Sequence, residues 1–121
     1  MVLLIEDEAV SRRALQTLLR LSGHAVKAVS SAEEALANIM ENGAPDMAVV
    51  DVNLPGMSGV EFRRRLHQLC PTVPCIFMSA NDEVNLDLLR NTFHDSALRK
   101  PFDVGLLLTL MTSAETRWQQ A

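Results

Sequence analysis

A doubly wound (βα)5 sandwich, with helices on both faces of one five-stranded parallel sheet, is the fold class this 121-residue sequence predicts. Three observations carry that prediction. Short apolar runs alternate with segments of helical periodicity, the runs are almost unbroken in apolar residues, and five βα repeats use up the chain. Alternation of this kind implies βαβ crossovers and therefore a parallel sheet covered on both sides. Strands covered on both faces carry continuous apolar runs, since neither face meets water.

The elements follow in order. Val2–Ile5 is the first strand. Val10, Ala14, Leu18 and Leu21 then recur at steps of three and four, opposite Arg12, Arg13 and Gln16, which predicts a helix with that apolar stripe turned inward and Gly23 as its C-cap. Ala25–Val29 is the second strand. Ser30 or Ser31, each followed three residues later by Glu33 or Glu34, opens the next helix with a capping-box pattern. That helix runs to about Glu41 and stops at Asn42-Gly43, with Pro45 beyond. Met47–Val50 and Cys75–Met78 are the third and fourth strands, and Arg63-Arg64-Arg65 between them is expected on a solvated helix face. Ala97–Leu98 is the fifth strand, set in a stretch of weak β character. The last helix carries Val104, Leu107, Leu108, Met111 and Trp118 on one broad face before a polar tail. Leu106-Leu107-Leu108 cannot all point inward, so part of that helix is expected to face a partner.

Composition narrows the function. Hydrophobic residues make up 48% and charged residues 21%, as in an ordinary globular domain, and no linker divides residues 1–121. A net charge of −4 gives no general attraction to nucleic acid or to an anionic membrane, so direct binding of either is not expected. No apolar stretch is long enough to span a bilayer, and MVLLIEDE lacks the basic start of a signal peptide; the expected location is cytoplasmic. Cys70 and Cys75 are expected as free thiols, and His24, His67 and His94 share no metal-ligand spacing.

In an open α/β sheet the ligand site lies beyond the carboxyl ends of the strands. There the first strand ends in Glu6-Asp7-Glu8, the third in Asp51, the fourth in Ser79-Ala80 and the fifth in Lys100-Pro101. Carboxylates, a hydroxyl and an ammonium should therefore meet at one edge. Gathered carboxylates repel one another, and a hard divalent cation relieves this best. Glu6, Asp7, Asp51 and the backbone carbonyl of Asn53 suit Mg²⁺, or Mn²⁺ in its place. Lys100 and Ser79 can bind oxygens of an incoming phosphoryl group, leaving Asp51 as a carboxylate nucleophile.

The strings VLLIEDE, MAVVDVNLPGMSGVEF, CIFMSA and ALRKPF, in that order, resemble the receiver domain of two-component response regulators along essentially the whole chain. The resemblance implies a flavodoxin-like fold, Asp51 as phosphoacceptor, Glu6 and Asp7 as the acidic metal pair, and Asn53 as a backbone metal contact. It also implies Ser79 and Lys100 as the phosphoryl-binding hydroxyl and ammonium, and Pro55, Gly56 and Gly59 as shapers of the loop after Asp51. The implied partners are a sensor histidine kinase or histidine phosphotransfer protein and a downstream output domain or protein, with a homodimer through the fourth and fifth helices as a further option. Family members catalyse their own phosphoryl transfer and often hydrolyse the product slowly.

Two departures stand out. Ala97 occupies the position, three before Lys100, where the family usually has a Tyr or Phe that swings inward on phosphorylation. Upstream, Thr92-Phe93-His94-Asp95 replaces the usual Gly-Ala pair, and the Ser79–Lys100 segment is about one residue short. Family drift with the site chemistry intact is the expectation that follows, since loops and short connections vary freely; the sharper alternative is an unusual output face, or a receiver that passes phosphate onward instead of changing shape. Two other functions compete: a phosphate-independent interaction module, against which the complete residue set argues, and a metal-dependent phosphohydrolase, against which Asn53 argues, standing where a second acid is needed.

Overall fold

The structure is a computed structural model that describes residues 1–120, with side chains as far as Glu115. Five strands and five helices alternate: β1 Val2–Ile5, α1 Ala9–Leu21, β2 Val26–Val29, α2 Ala32–Asn42, β3 Met47–Asp51, α3 Gly59–Leu69, β4 Cys75–Ser79, α4 Leu86–Phe93, β5 Ser96–Arg99 and α5 Val104–Gln120. All pairings are parallel, in the order β2-β1-β3-β4-β5. The order reverses between β1 and β3, and such a switch point leaves a crevice at the carboxyl ends of the strands.

Every residue of β1, β3 and β4 is buried, as expected for strands covered on both faces. One layer joins the sheet to α2, α3 and α4 through Ala35, Ile39, Phe62, Leu66, Leu86 and Leu89. The other joins it to α1 and α5 through Leu15, Leu19, Leu107, Met111 and Ala114. Caps set the helix ends. Ser31 accepts the Glu34 N–H to open α2, while Glu34 takes the Ser30 hydroxyl rather than closing a capping box. Gly23 follows α1 at φ 94°, a conformation that favours glycine.

Two expectations need correction. The inward face of α1 is Leu15 and Leu19, whereas Val10 and Leu21 are 73% and 80% exposed. The helix has two apolar stripes, and at 3.6 residues per turn Val10, Ala14 and Leu21 fall well round from the pair that meets the sheet. Arg63 is not on a solvated face: it is buried and donates from Nε to Asp95 Oδ2 at 2.5 Å. Asp95 also accepts the Cys75 N–H, and the Arg63 guanidinium lies 5.5 Å from the Phe93 ring centroid, so one carboxylate ties α3, β4 and the α4–β5 junction together. The last helix turns Leu107, Met111 and Ala114 inward and leaves Leu106 exposed; Trp118 lies outside the described side chains.

The fifth strand is real despite its sequence, because it hydrogen-bonds along β4 and buries Ala97 and Leu98. His94, at φ 58°, ends α4 in the left-handed conformation, so the short α4–β5 connection turns without a glycine. Cys70 and Cys75 are free thiols; burial pushes the Cys75 thiol up in pKa. Among the described residues, no helix is long and apolar enough to cross a membrane.

Candidate functional site: an acidic crevice at the sheet switch point

Each candidate side chain reaches the crevice because a strand ends beneath it. Register sets the depth: Ile5 pairs with Val50, Asp51 with Met78 and Ser79 with Arg99. Glu6 follows β1, Asp51 and Ser79 are the last residues of β3 and β4, and Lys100 follows β5. Glu6, Asp51 and Ser79 are buried, while Asp7 and Asn53 are exposed at the rim. Oxygens of Glu6, Asp7 and Asp51 lie within 4.8 Å of one another.

Lys100 Nζ sits between two of these acids, 2.6 Å from Glu6 Oε1 and 2.7 Å from Asp51 Oδ2. Burial works against its charge, but the hydrogen bonds and negative charges of the two carboxylates together outweigh burial and raise its pKa. Glu6 is pushed up to about 7, chiefly by burial and then by the Asp51 carboxyl beside it, against the lowering pull of Lys100. Its Oε2 is buried and meets no hydrogen-bond donor. An orphaned buried carboxylate oxygen is costly unless a cation completes it.

Asp51 Oδ1 accepts the Asn53 N–H at 2.8 Å. The Ser79 hydroxyl donates to Asn53 Oδ1 at 2.9 Å and accepts the Asn81 N–H at 3.1 Å. The Asn53 backbone carbonyl belongs to the exposed turn directly after Asp51. Gly59 lies against the β3 end so closely that a Cβ there would fall 2.3 Å from the Asp51 carbonyl oxygen. Gly56, at φ 73°, completes the turn.

Three contributors escape a reading of the sequence. Arg12 Nη1 donates to the carbonyls of Glu6 and Asp7 at 3.0 and 3.3 Å, bracing the acidic turn. Glu33 takes the Met57 N–H at 2.8 Å, and that bond holds its carboxyl below the usual range. Arg99 donates to the carbonyls of Asn81 and Val84. Their partners are backbone groups brought near only by folding, so no spacing signals them. Glu8, in the same acidic run as the site pair, instead caps α1 by accepting the Val10 and Ser11 N–H groups.

The donor set fits a small hard cation: carboxylate oxygens, one of them buried and unpartnered, beside open solvent. Lysine and hydroxyl flank the same opening, an arrangement suited to a tetrahedral anion.

A family model described as the response regulator receiver domain matches residues 2–112. The transcriptional regulatory protein CseB of Streptomyces coelicolor is 35% identical over 121 residues, covering 99% of this chain and 51% of CseB. The chain spans about half or less of the length of the curated relatives it matches. Among solved structures, a response regulator receiver domain protein from Clostridium thermocellum superposes with a TM-score of 0.90 at 26% identity, covering 98% of this chain and 96% of that one. A Thermotoga maritima response regulator solved with Mg²⁺-BeF has a TM-score of 0.82 at 24% identity, covering 93% and 96%, and shows the shared fold.

Proposed function

The chain belongs to the response regulator receiver domain family, and from that premise we propose that Asp51 is its phosphoacceptor and that the crevice catalyses its own phosphorylation. The observation that carries this reading is Lys100 Nζ bridging Glu6 and Asp51 at 2.6 and 2.7 Å inside an acidic cluster. Glu6, Asp7, Asp51 and the Asn53 carbonyl would hold Mg²⁺ or Mn²⁺. The bound cation supplies charge neutralisation for the phosphoryl oxygens.

The chain's own residues do the rest. Oδ1 of Asp51 is fixed by the Asn53 N–H, which leaves Oδ2, bonded to the Lys100 ammonium, as the attacking atom. Oδ2 forms the new P–O bond while the P–N bond of a phosphohistidine breaks, and the electron pair leaves with the imidazole nitrogen. Lys100 moves its ammonium from Asp51 to one phosphoryl oxygen, and Ser79 turns its hydroxyl from Asn53 to another. Positioning and charge suffice for such a transfer.

A sensor kinase or histidine phosphotransfer protein is the proposed donor, in the cytoplasm, with an output domain or protein downstream. A largely apolar groove of about 400 Å³ supports a docking donor. It opens beside Lys100, between Leu15 and Leu18 of α1 and Phe102 and Val104. The test is intact mass after incubation with Mg²⁺ and acetyl phosphate, beside Asp51→Asn. Gain of one phosphoryl group that requires both Mg²⁺ and Asp51 is expected; no gain in a folded, metal-bound protein would turn the reading into a phosphate-independent interaction module.

A further inference from the structure

The Ser79 hydroxyl begins a chain of polar contacts that leaves the crevice. It accepts the Asn81 N–H; the Asn81 carbonyl accepts Arg99 Nη1; and Arg99 Nη2 donates to the Val84 carbonyl at 2.7 Å. Val84 lies one residue before Asn85, the N-cap of α4. Ser79 and Arg99 are register partners on adjacent parallel strands, so their side chains leave the same face of the sheet. The guanidinium thus clamps the whole β4–α4 loop to the end of β5.

The sheet beneath this clamp is fixed. Phe77, two residues before Ser79 on the same face, pairs in register with Ala97. Both are buried, and the Phe77 ring lies 5.7 Å from that of Phe93 in α4. An alanine has no ring to move, and Phe77 is sealed between β5 and α4, so no aromatic side chain at this pair can swing when Ser79 moves. Among the described residues, a polar chain links the Ser79 hydroxyl to the start of α4.

We propose that Arg99 is a positioning residue that couples the rotation of the Ser79 hydroxyl to α4. When Ser79 turns toward a phosphoryl group, the Asn81 N–H loses its acceptor, the 80–85 loop shifts, and Arg99 carries the shift to the α4 N-terminus through its two carbonyl bonds. The planar fork suits this task, since it holds both carbonyls at once in fixed relative positions. The inference rests on the phosphoacceptor reading above.

The test is amide NMR of the protein with Mg²⁺ and beryllofluoride, a phosphoryl mimic, for the parent, Arg99→Met and Arg99→Lys. The parent is expected to shift amides at Asp51, Ser79 and Lys100 and also across Leu86–Phe93. Arg99→Met should keep the first set and lose most of the second, and Arg99→Lys should restore it only in part. Equal α4 shifts in Arg99→Met and parent would overturn the coupling while leaving the site reading intact. No shift at Asp51 and Ser79 in the parent would overturn the site reading and this inference with it. A merely structural role for Arg99 would lower the melting temperature without separating the two sets of shifts, and that pattern too would overturn it.

Discussion

Glu33 belongs to the first turn of α2, yet its carboxylate holds the Met57 N–H across 24 residues of sequence, closing the loop that follows Asp51. That bond favours the ionised form, so the folded-state pKa lies below the ordinary glutamate value of 4.5. A lowered acid pKa gives stability that is present above pH 4.5 and is lost as pH falls through the folded value. The Met57 amide resonance should therefore titrate with a midpoint below 4.5, and Glu33→Gln should remove that titration. A Met57 amide insensitive to acid would show the contact to be unimportant in solution. The strand-end residues Glu6, Asp7, Asp51, Ser79 and Lys100 were legible because a polar residue ending an apolar run is visible in one dimension. Glu33, Arg12 and Arg99 were not, because each binds backbone carbonyls or amides, and a backbone group has no letter in the sequence.

At the scale of elements, two joints hold the site in place. Helix α3 begins at Gly59, whose missing Cβ lets the helix start press on the Asp51 backbone. Gly59→Ala would put a methyl 2.3 Å from the Asp51 carbonyl oxygen, where only backbone can yield. We expect a loss of about 1–3 kcal/mol in denaturant unfolding and a slower gain of the phosphoryl group. The second joint is the Arg63–Asp95 pair, both side chains buried. Removing one member leaves a buried charge, so Asp95→Ala should cost about 3–5 kcal/mol. Replacing both together with apolar residues should cost less than the sum of the single changes, and a double-mutant cycle measures the difference. The order of elements was readable from alternation, and strand bounds came within a residue or two. The inward face of α1 was misread because Val10–Ala14–Leu18–Leu21 and Leu15–Leu19 are both periodic, and periodicity does not say which stripe the sheet will take. Arg63 was misread because its partner Asp95 is 32 residues away, and a charge run looks the same whether solvated or paired.

For the whole molecule, an ion bound in the crevice would be coupled to folding. Carboxylates of Glu6, Asp7 and Asp51 meet only in the folded chain, so a cation that binds there stabilises the native state by mass action. At a Mg²⁺ concentration about a hundredfold above its dissociation constant, the gain should approach about 2.7 kcal/mol. Thermal unfolding with and without Mg²⁺ measures it, and Asp7→Asn should diminish the gain while leaving the metal-free protein folded. An unchanged melting temperature across Mg²⁺ concentrations would count against cation binding at the crevice.

The two cysteines lie at the other pole of the sheet from all of this. Cys75 opens β4, at the amino ends of the strands, where it is buried and its thiol is held in the neutral form; Cys70, at the end of α3, is partly exposed. Thiolate is the reactive species, so a maleimide dye should attach to Cys70 and spare Cys75. The molecule therefore carries a native labelling handle. A fluorophore there stands away from Asp51, ready to report docking or assembly without an engineered cysteine.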